Sequence, residues 1–240
     1  MGSNKSLPKI VPQKQEKRKY MLGIIDPQND FFFGGALAVN DANSIIGPIN
    51  KLRFILYDHM DTFVSQDYHP KNHMSFASVY SEKPFTEKNL KIKINNDTLD
   101  IKQKLWPDHC VQDTHGTNFN NDLILLKTDK VFKKGRNVNV ESYSAFGDEF
   151  NAKYENTNLH SYLSSLDIKH IVLVGLAMDY CVYNTAKDAI KYGYIVHIIR
   201  SCTRGVEEKT TNDAINDLII KGVEFYDTVD DFLSLNKSNF

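Results

Sequence analysis

Three short runs carry side chains able to do chemistry. Asp179-Tyr180-Cys181-Val182 sets a thiol between an apolar run, Ile171 to Leu176, and a segment of helical spacing, Val182 to Tyr192. A thiol at the junction of a buried strand and a helix meets free backbone N–H groups and the positive end of a helix dipole. Both favour a thiolate, and the same N–H groups can hold an oxyanion. On position alone, a buried structural cysteine stays open beside a nucleophile. Asp67-Tyr68-His69-Pro70-Lys71-Asn72-His73 gathers one carboxylate and two imidazoles. Asp67 and His69 share one side of an extended segment, and His73 comes within reach after a turn at Pro70. That set suits a divalent cation better than an incidental polar loop. Leu105-Trp106-Pro107-Asp108-His109-Cys110 adds His109, a fourth ligand type, beside the chain's single tryptophan.

The elements that must position these residues can be read from apolar periodicity. Short apolar strands are expected at Tyr20–Ile25, Thr62–Gln66, Val131–Gly135, Ile171–Leu176, Tyr194–Ile199 and Val223–Tyr226. Helices are expected at Asn43–Tyr57, Leu159–Leu166, Val182–Tyr192, Glu207–Lys221 and Val229–Leu235. Strands separated by helices imply a parallel sheet covered on both faces, a three-layer α/β/α arrangement. Ligands then collect at the C-terminal ends of the strands. Asp26 stands at such an end, followed by Phe31, which suits a pocket wall or the core. Lys133 and Lys134 stand at another. The stretch from Ser75 to Gln103, rich in Lys, Asn and Ser, reads as a polar insertion or lid.

Bulk properties exclude several classes. The chain has 240 residues, 41% hydrophobic and 25% charged, which suits one α/β domain over residues 20–240. A formal net charge of -1 gives no field that would gather nucleic acid. Cys110, Cys181 and Cys202 form an odd set without framework spacing, which points to a reducing compartment. The first nineteen residues differ. Met1-Gly2-Ser3-Asn4-Lys5-Ser6 fits an N-myristoylation pattern, and Lys9, Lys14, Lys17, Arg18 and Lys19 follow it. The expectation is a disordered basic tail, residues 1–19. An acylated Gly2 and the basic run would give a reversible membrane contact to an otherwise cytoplasmic protein.

Taken together, these motifs resemble the nicotinamidases of the isochorismatase-like hydrolase superfamily. The matching residues are Asp26-Pro27-Gln28-Asn29-Asp30-Phe31, Asp67-Tyr68-His69-Pro70 with His73, Trp106-Pro107-Asp108-His109-Cys110, Lys134-Gly135, Tyr143-Ser144-Ala145-Phe146, and Gly175 to Val182. The resemblance implies a triad of Asp26, Lys134 and Cys181. It implies metal ligands Asp67, His69 and His109, with His73 a fourth, direct or through water. Phe31, Trp106 and Tyr143 would wall a pyridine ring. A cis peptide at Leu176–Ala177 would aim the Ala177 N–H, with that of Cys181, at an oxyanion. One divalent metal is implied, zinc first, with iron and manganese also suited. The activity implied is hydrolysis of nicotinamide to nicotinate and ammonia, feeding NAD salvage. The alternative is a related metal-containing amidohydrolase acting on pyrazinamide, ureido or carbamoyl substrates. A catalytically dead copy and a hydrolase using metal-bound hydroxide are weighed against it. An intact triad beside an intact ligand set argues against the first; the second would make Cys181 incidental, and activity surviving Cys181→Ser would support it. The oligomeric state stays open, a homo-oligomer included.

Overall fold

The computed structural model describes residues 19–237. The tail expected at residues 1–19, with its acylation pattern, lies outside the described residues apart from Lys19. Six parallel strands form the central sheet: β1 (Tyr20–Ile25), β2 (Asp61–Asp67), β5 (Lys130–Lys134), β6 (His170–Leu176), β7 (Ile195–Arg204) and β8 (Glu224–Tyr226). Their spatial order is β5-β2-β1-β6-β7-β8. From β1 the chain winds outward first through β2 and β5, and then on the other side through β6, β7 and β8. The winding therefore reverses between β1 and β6, which opens a crevice at the C-terminal ends of the central strands.

Strand β1 shows why both faces must be covered. Tyr20, Leu22 and Ile24 enter one core, while Met21 and Ile25 enter the other. Alternation with a period of two places apolar side chains on both faces, so neither can meet water. Helices α1 (Ile46–Leu56) and α5 (Val229–Leu235) close the first face through Ile49, Leu52, Val229 and Phe232. Helices α2 (Leu159–Ser165), α3 (Tyr183–Lys191) and α4 (Glu208–Ile220) close the second through Leu159, Leu163, Ala186, Ala189 and Leu218. Each buried Val, Leu, Ile or Phe side chain among these contributes about 1.5–3 kcal/mol relative to exposure, and the alanines less. Among the described residues, no helix is long and apolar enough to cross a membrane.

Two segments depart from the sequence reading. Within the stretch taken as a polar insertion, β3 (Glu87–Ile94) and β4 (Asp97–Lys104) pair as an antiparallel hairpin. Leu90 and Ile94 are buried beneath it while Lys91, Lys93 and Lys102 are exposed. Asn95, at φ 54, opens its two-residue turn, a conformation that asparagine tolerates well. The Lys/Asn-rich composition hid this weak alternation. Strand β7 also runs past Ile199 to Arg204. An irregularity in its pairing between Leu173 and Gly175 lets Thr203 and Arg204 continue the ladder against Gly175 and Leu176.

Candidate active site

Four strand ends supply the reactive groups at the reversal. Asp67, the last residue of β2, faces Lys134, the last residue of β5, in register across the ladder. Their side chains therefore emerge on the same side. Asp26 follows β1 directly at φ 44, and its N–H donates to Ser65 Oγ at 3.1 Å. Ser65 Oγ in turn donates to Asp26 Oδ1 at 2.7 Å. Gln28 ties the loop after β1 to β2: its Nε2 donates to Asp67 O, and Asp67 N–H donates to its Oε1, both at 2.7 Å. After β6 the Leu176–Ala177 bond is cis, and a π-helical turn, Met178–Val182, carries Cys181 into α3.

Lys134 is the hub. Its Nζ lies 2.9 Å from Asp26 Oδ2 and 3.4 Å from Cys181 Sγ, hydrogen-bonds Asp67 Oδ1, and donates to Ser142 O at 3.2 Å. Oxygens of Asp26 and Asp67 and the Cys181 sulfur all lie within 4.8 Å of one another. Lys134 and Asp26 are fully buried. Burial alone would push the Lys134 ammonium towards neutrality, but the Asp26 and Asp67 carboxylates outweigh it and hold it protonated. Burial raises Asp26 to about 6, aided by Asp67 and opposed by Lys134. The Cys181 thiol is also pushed well up by burial, with Lys134 opposing. This corrects the expectation of a thiolate favoured by a helix end. Cys181 sits inside the π-helical turn, desolvated, and rests as a thiol that needs a proton acceptor.

A second cluster adjoins the first. Ligand atoms of Asp67, His69 and His109 lie within 4.8 Å of one another. His69 Nδ1 is 3.0 Å from Gly135 O, and His109 Nδ1 is 2.8 Å from Pro107 O. Both carbonyls fix the proton on Nδ1 and leave Nε2 as the metal-binding atom. Two imidazoles and one carboxylate so arranged fit a divalent cation. Burial pushes His109 down to about 4, and the neighbouring His69 adds to it, so the imidazole is neutral as a ligand must be. Gly135, at φ +65, allows the close approach: a Cβ there would lie 2.4 Å from His69 Cε1. His73 stands apart. Its ring packs on His69 at 4.3 Å, while Nδ1 meets Ser75 Oγ at 2.7 Å and Nε2 meets Val140 O at 3.1 Å. Its ligand atoms group with those of His69 and Glu141 within 4.8 Å, so His73 adjoins the Asp67–His69–His109 group through His69 without being part of it.

One cavity opens onto both clusters. It is lined by Phe31, Leu37, Trp106, Tyr143, Ala177, Tyr180 and Val206 together with Asp67, His69, His109, Glu141 and Cys181. Trp106 Nε1 donates to Tyr143 OH at 2.9 Å, which locks two aromatic walls together. The structure thus gathers Asp26, Lys134, Cys181, Asp67, His69, His109, Phe31, Trp106, Tyr143 and Ala177 at one place, with Asp26 and Lys134 behind the cavity wall. Sequence reasoning passed over Tyr180, which lies edge-to-face with Trp106 at 4.7 Å. It also passed over Glu141, whose carboxyl burial holds above its usual range beside His69 and His73. A lone glutamate before Ser-Tyr-Ser carries no periodic signal that would mark it as buried.

Comparison with known proteins agrees with this geometry. The isochorismatase domain model matches residues 20–230. The nicotinamidase of Escherichia coli (strain K12) is 38% identical over 192 residues, covering 80% of this chain and 85% of that protein. The solved Acinetobacter baumanii nicotinamidase/pyrazinamidase superposes with a TM-score of 0.80 at 32% identity, covering 91% of this chain and 100% of that one. The pyrazinamidase of Pyrococcus horikoshii, solved in complex with zinc, superposes with a TM-score of 0.69 at 27% identity, covering 86% of this chain and 98% of that one. A doubly wound parallel sheet, a buried cysteine at its switch point and this similarity along most of the chain lead to one conclusion: the chain belongs to the isochorismatase family, among its nicotinamidase amidohydrolases.

Proposed function

We propose that this protein hydrolyses nicotinamide to nicotinate and ammonia through a thioester on Cys181, a reaction that feeds NAD salvage. The observation that carries the reading is the contact of Lys134 with Asp26 and Cys181 on one side and with the metal-ligand carboxylate Asp67 on the other. The ionised Asp26 takes the Cys181 proton, since the resting thiol is a poor nucleophile and the carboxyl, at about 6, is mostly ionised at neutral pH. Lys134 holds the carboxylate in place throughout. The sulfur attacks the carboxamide carbon, and the Ala177 and Cys181 N–H groups receive the negative charge on its oxygen. Each such donor is worth about 3 kcal/mol in the transition state. Asp26 then returns the proton to the departing nitrogen, and ammonia leaves. A water that gives its proton to Asp26 attacks the thioester carbon. The carbon–sulfur bond breaks, the acid is formed and Cys181 regains its proton. Phe31, Trp106 and Tyr143 hold the ring so that its carboxamide meets the sulfur.

Asp67, His69 and His109 would hold one divalent cation, which when bound supplies a Lewis-acid contact to the ring nitrogen and so orients the substrate. We assign zinc to this set, supported by its imidazole and carboxylate donors and by the zinc in the Pyrococcus relative. Iron or manganese as the metal that co-purifies in stoichiometric amount overturns that assignment. The cytoplasmic placement and the Gly2 anchor belong to the proposal as well. Intact mass of the protein from its own cell tests the anchor, and an unmodified Gly2 ends it.

The test is ammonia release from nicotinamide by wild-type and Cys181→Ala protein, each with and without chelator, and from benzamide, which lacks the ring nitrogen. Release that requires both Cys181 and metal, with benzamide poorly turned over, is expected. Activity that survives Cys181→Ala refutes the thioester. Equal turnover of the two amides refutes the orienting role of the ligand set.

A further inference from the structure

The hairpin sets one charge that the reaction does not use against two aromatic walls of the cavity. Lys104 ends β4, and its Nζ donates to Tyr180 OH at 3.0 Å. The same ammonium lies 5.3 Å from the Trp106 ring centroid and 5.6 Å from that of Tyr180, both cavity walls. Its cross-strand neighbour Glu87 is taken by Lys102 at 2.5 Å. Asp179, on the Tyr180 side, is occupied by Val206 N at 2.9 Å, Glu207 N at 3.2 Å and Thr210 Oγ1. Among the described residues, no carboxylate forms an ion pair with Lys104. Deeper in, Lys134 is already shared by two carboxylates. Glu141 joins Asp67 as a second acid lining the cavity.

That charge distribution treats the two ends of the reaction differently. The amide is neutral, whereas the acid formed from it is an anion at neutral pH. Whatever the buried acids and a bound divalent cation contribute between them, an unshared cation on the cavity wall favours the anion over the neutral amide. We propose that Lys104 is a specificity-determining residue whose ammonium, held on the Trp106–Tyr180 wall, sets the affinity for the pyridine-3-carboxylate product relative to the neutral amide. The inference rests on the nicotinamide reading above and deepens it.

Trp106 is the only tryptophan in the chain, so its fluorescence reports occupancy of the cavity without turnover. Nicotinamide and nicotinate are titrated into metal-replete Cys181→Ala protein carrying Lys104, Lys104→Arg, Lys104→Met or Lys104→Glu. The readout is the ratio of acid to amide affinity. Loss of the wall contact moves both ligands together and cancels in this ratio. The ratio is expected to fall roughly threefold to tenfold in Lys104→Met, as for one unit charge some distance away in a medium of intermediate dielectric. It should fall further in Lys104→Glu, stay near the parent value in Lys104→Arg, and lose much of its salt dependence in Lys104→Met. A ratio within twofold of the parent in Lys104→Glu overturns the assignment. Ammonia release by the wild-type protein is measured alongside. Release with an invariant ratio sinks only the role of Lys104, whereas no release sinks the nicotinamide reading and this inference with it.

Discussion

Replacing Asp26 by asparagine should make the protein more stable while silencing it. Burial raises the Asp26 carboxyl from an ordinary 3.8 to about 6. A carboxyl raised on folding destabilises the native state wherever it is ionised in the unfolded chain, because folding then forces an unfavourable charge into the interior. The difference, about 6 less 3.8, is about 2 pH units, or about 3 kcal/mol at roughly 1.4 kcal/mol per unit. The sign follows from the two protonation equilibria. Below pH 3.8 the group is protonated in both states and contributes no penalty. The penalty grows as pH rises from there and is complete above about 6. Asparagine removes it, at a cost. Its single oxygen must serve both Ser65 Oγ, now 2.7 Å from Oδ1, and Lys134 Nζ, now 2.9 Å from Oδ2. One strained or missing hydrogen bond returns about 1 kcal/mol. The net expectation for Asp26→Asn is a gain of about 1–3 kcal/mol at pH 7 that vanishes near pH 4. Urea unfolding of metal-free wild-type and variant protein at both pH values measures it, since metal linkage would otherwise add to the difference. A variant less stable than wild type at pH 7, or a gain that persists at pH 4, refutes the electrostatic account of Asp26.

Other consequences follow from the same geometry. If ionised Asp26 is the base, kcat/KM should rise about tenfold per pH unit below about 6 and level off above it, and a flat profile between pH 4.5 and 7 would remove Asp26 from that role. Gly135→Ala should cost at least tenfold in metal affinity, because its Cβ would start 2.4 Å from the His69 ring in a backbone conformation at φ +65; metal content after dialysis against a chelator decides. Gln28→Ala should destabilise by about 2–3 kcal/mol, since two backbone groups of Asp67 lose partners at 2.7 Å inside the protein, and chemical denaturation that finds less than 0.5 kcal/mol, roughly the floor for a hydrogen bond, contradicts it.

Much of this protein was legible along the chain because its signals are local. Apolar runs bounded by turn residues marked all six strands of the central sheet. Helical spacing marked α1 to α5, residue types marked Asp26, Asp67, His69, His109 and Cys181, and the resemblance alone picked Lys134 over Lys133. Tertiary structure decided what depends on distance through space. That Lys134 and not Lys133 reaches Asp26 follows from the alternation of β5: Lys134 is buried in register with Asp67, while Lys133 stacks at 3.6 Å on the Tyr68 ring. That His73 packs on His69 and Glu141 and lies outside the Asp67–His69–His109 group follows from its Nε2 donating to the Val140 carbonyl, far along the chain, while Nδ1 accepts from Ser75. The hairpin stayed hidden because its few apolar residues lie beneath charged ones, and its Lys104 has meaning only beside Trp106 and Tyr180. The state of the thiol was the least legible of all. A sequence can show a cysteine at a strand–helix junction, but its proton is governed by the water excluded around it and by the sign of the nearest buried charges, and only the packed fold brings those together.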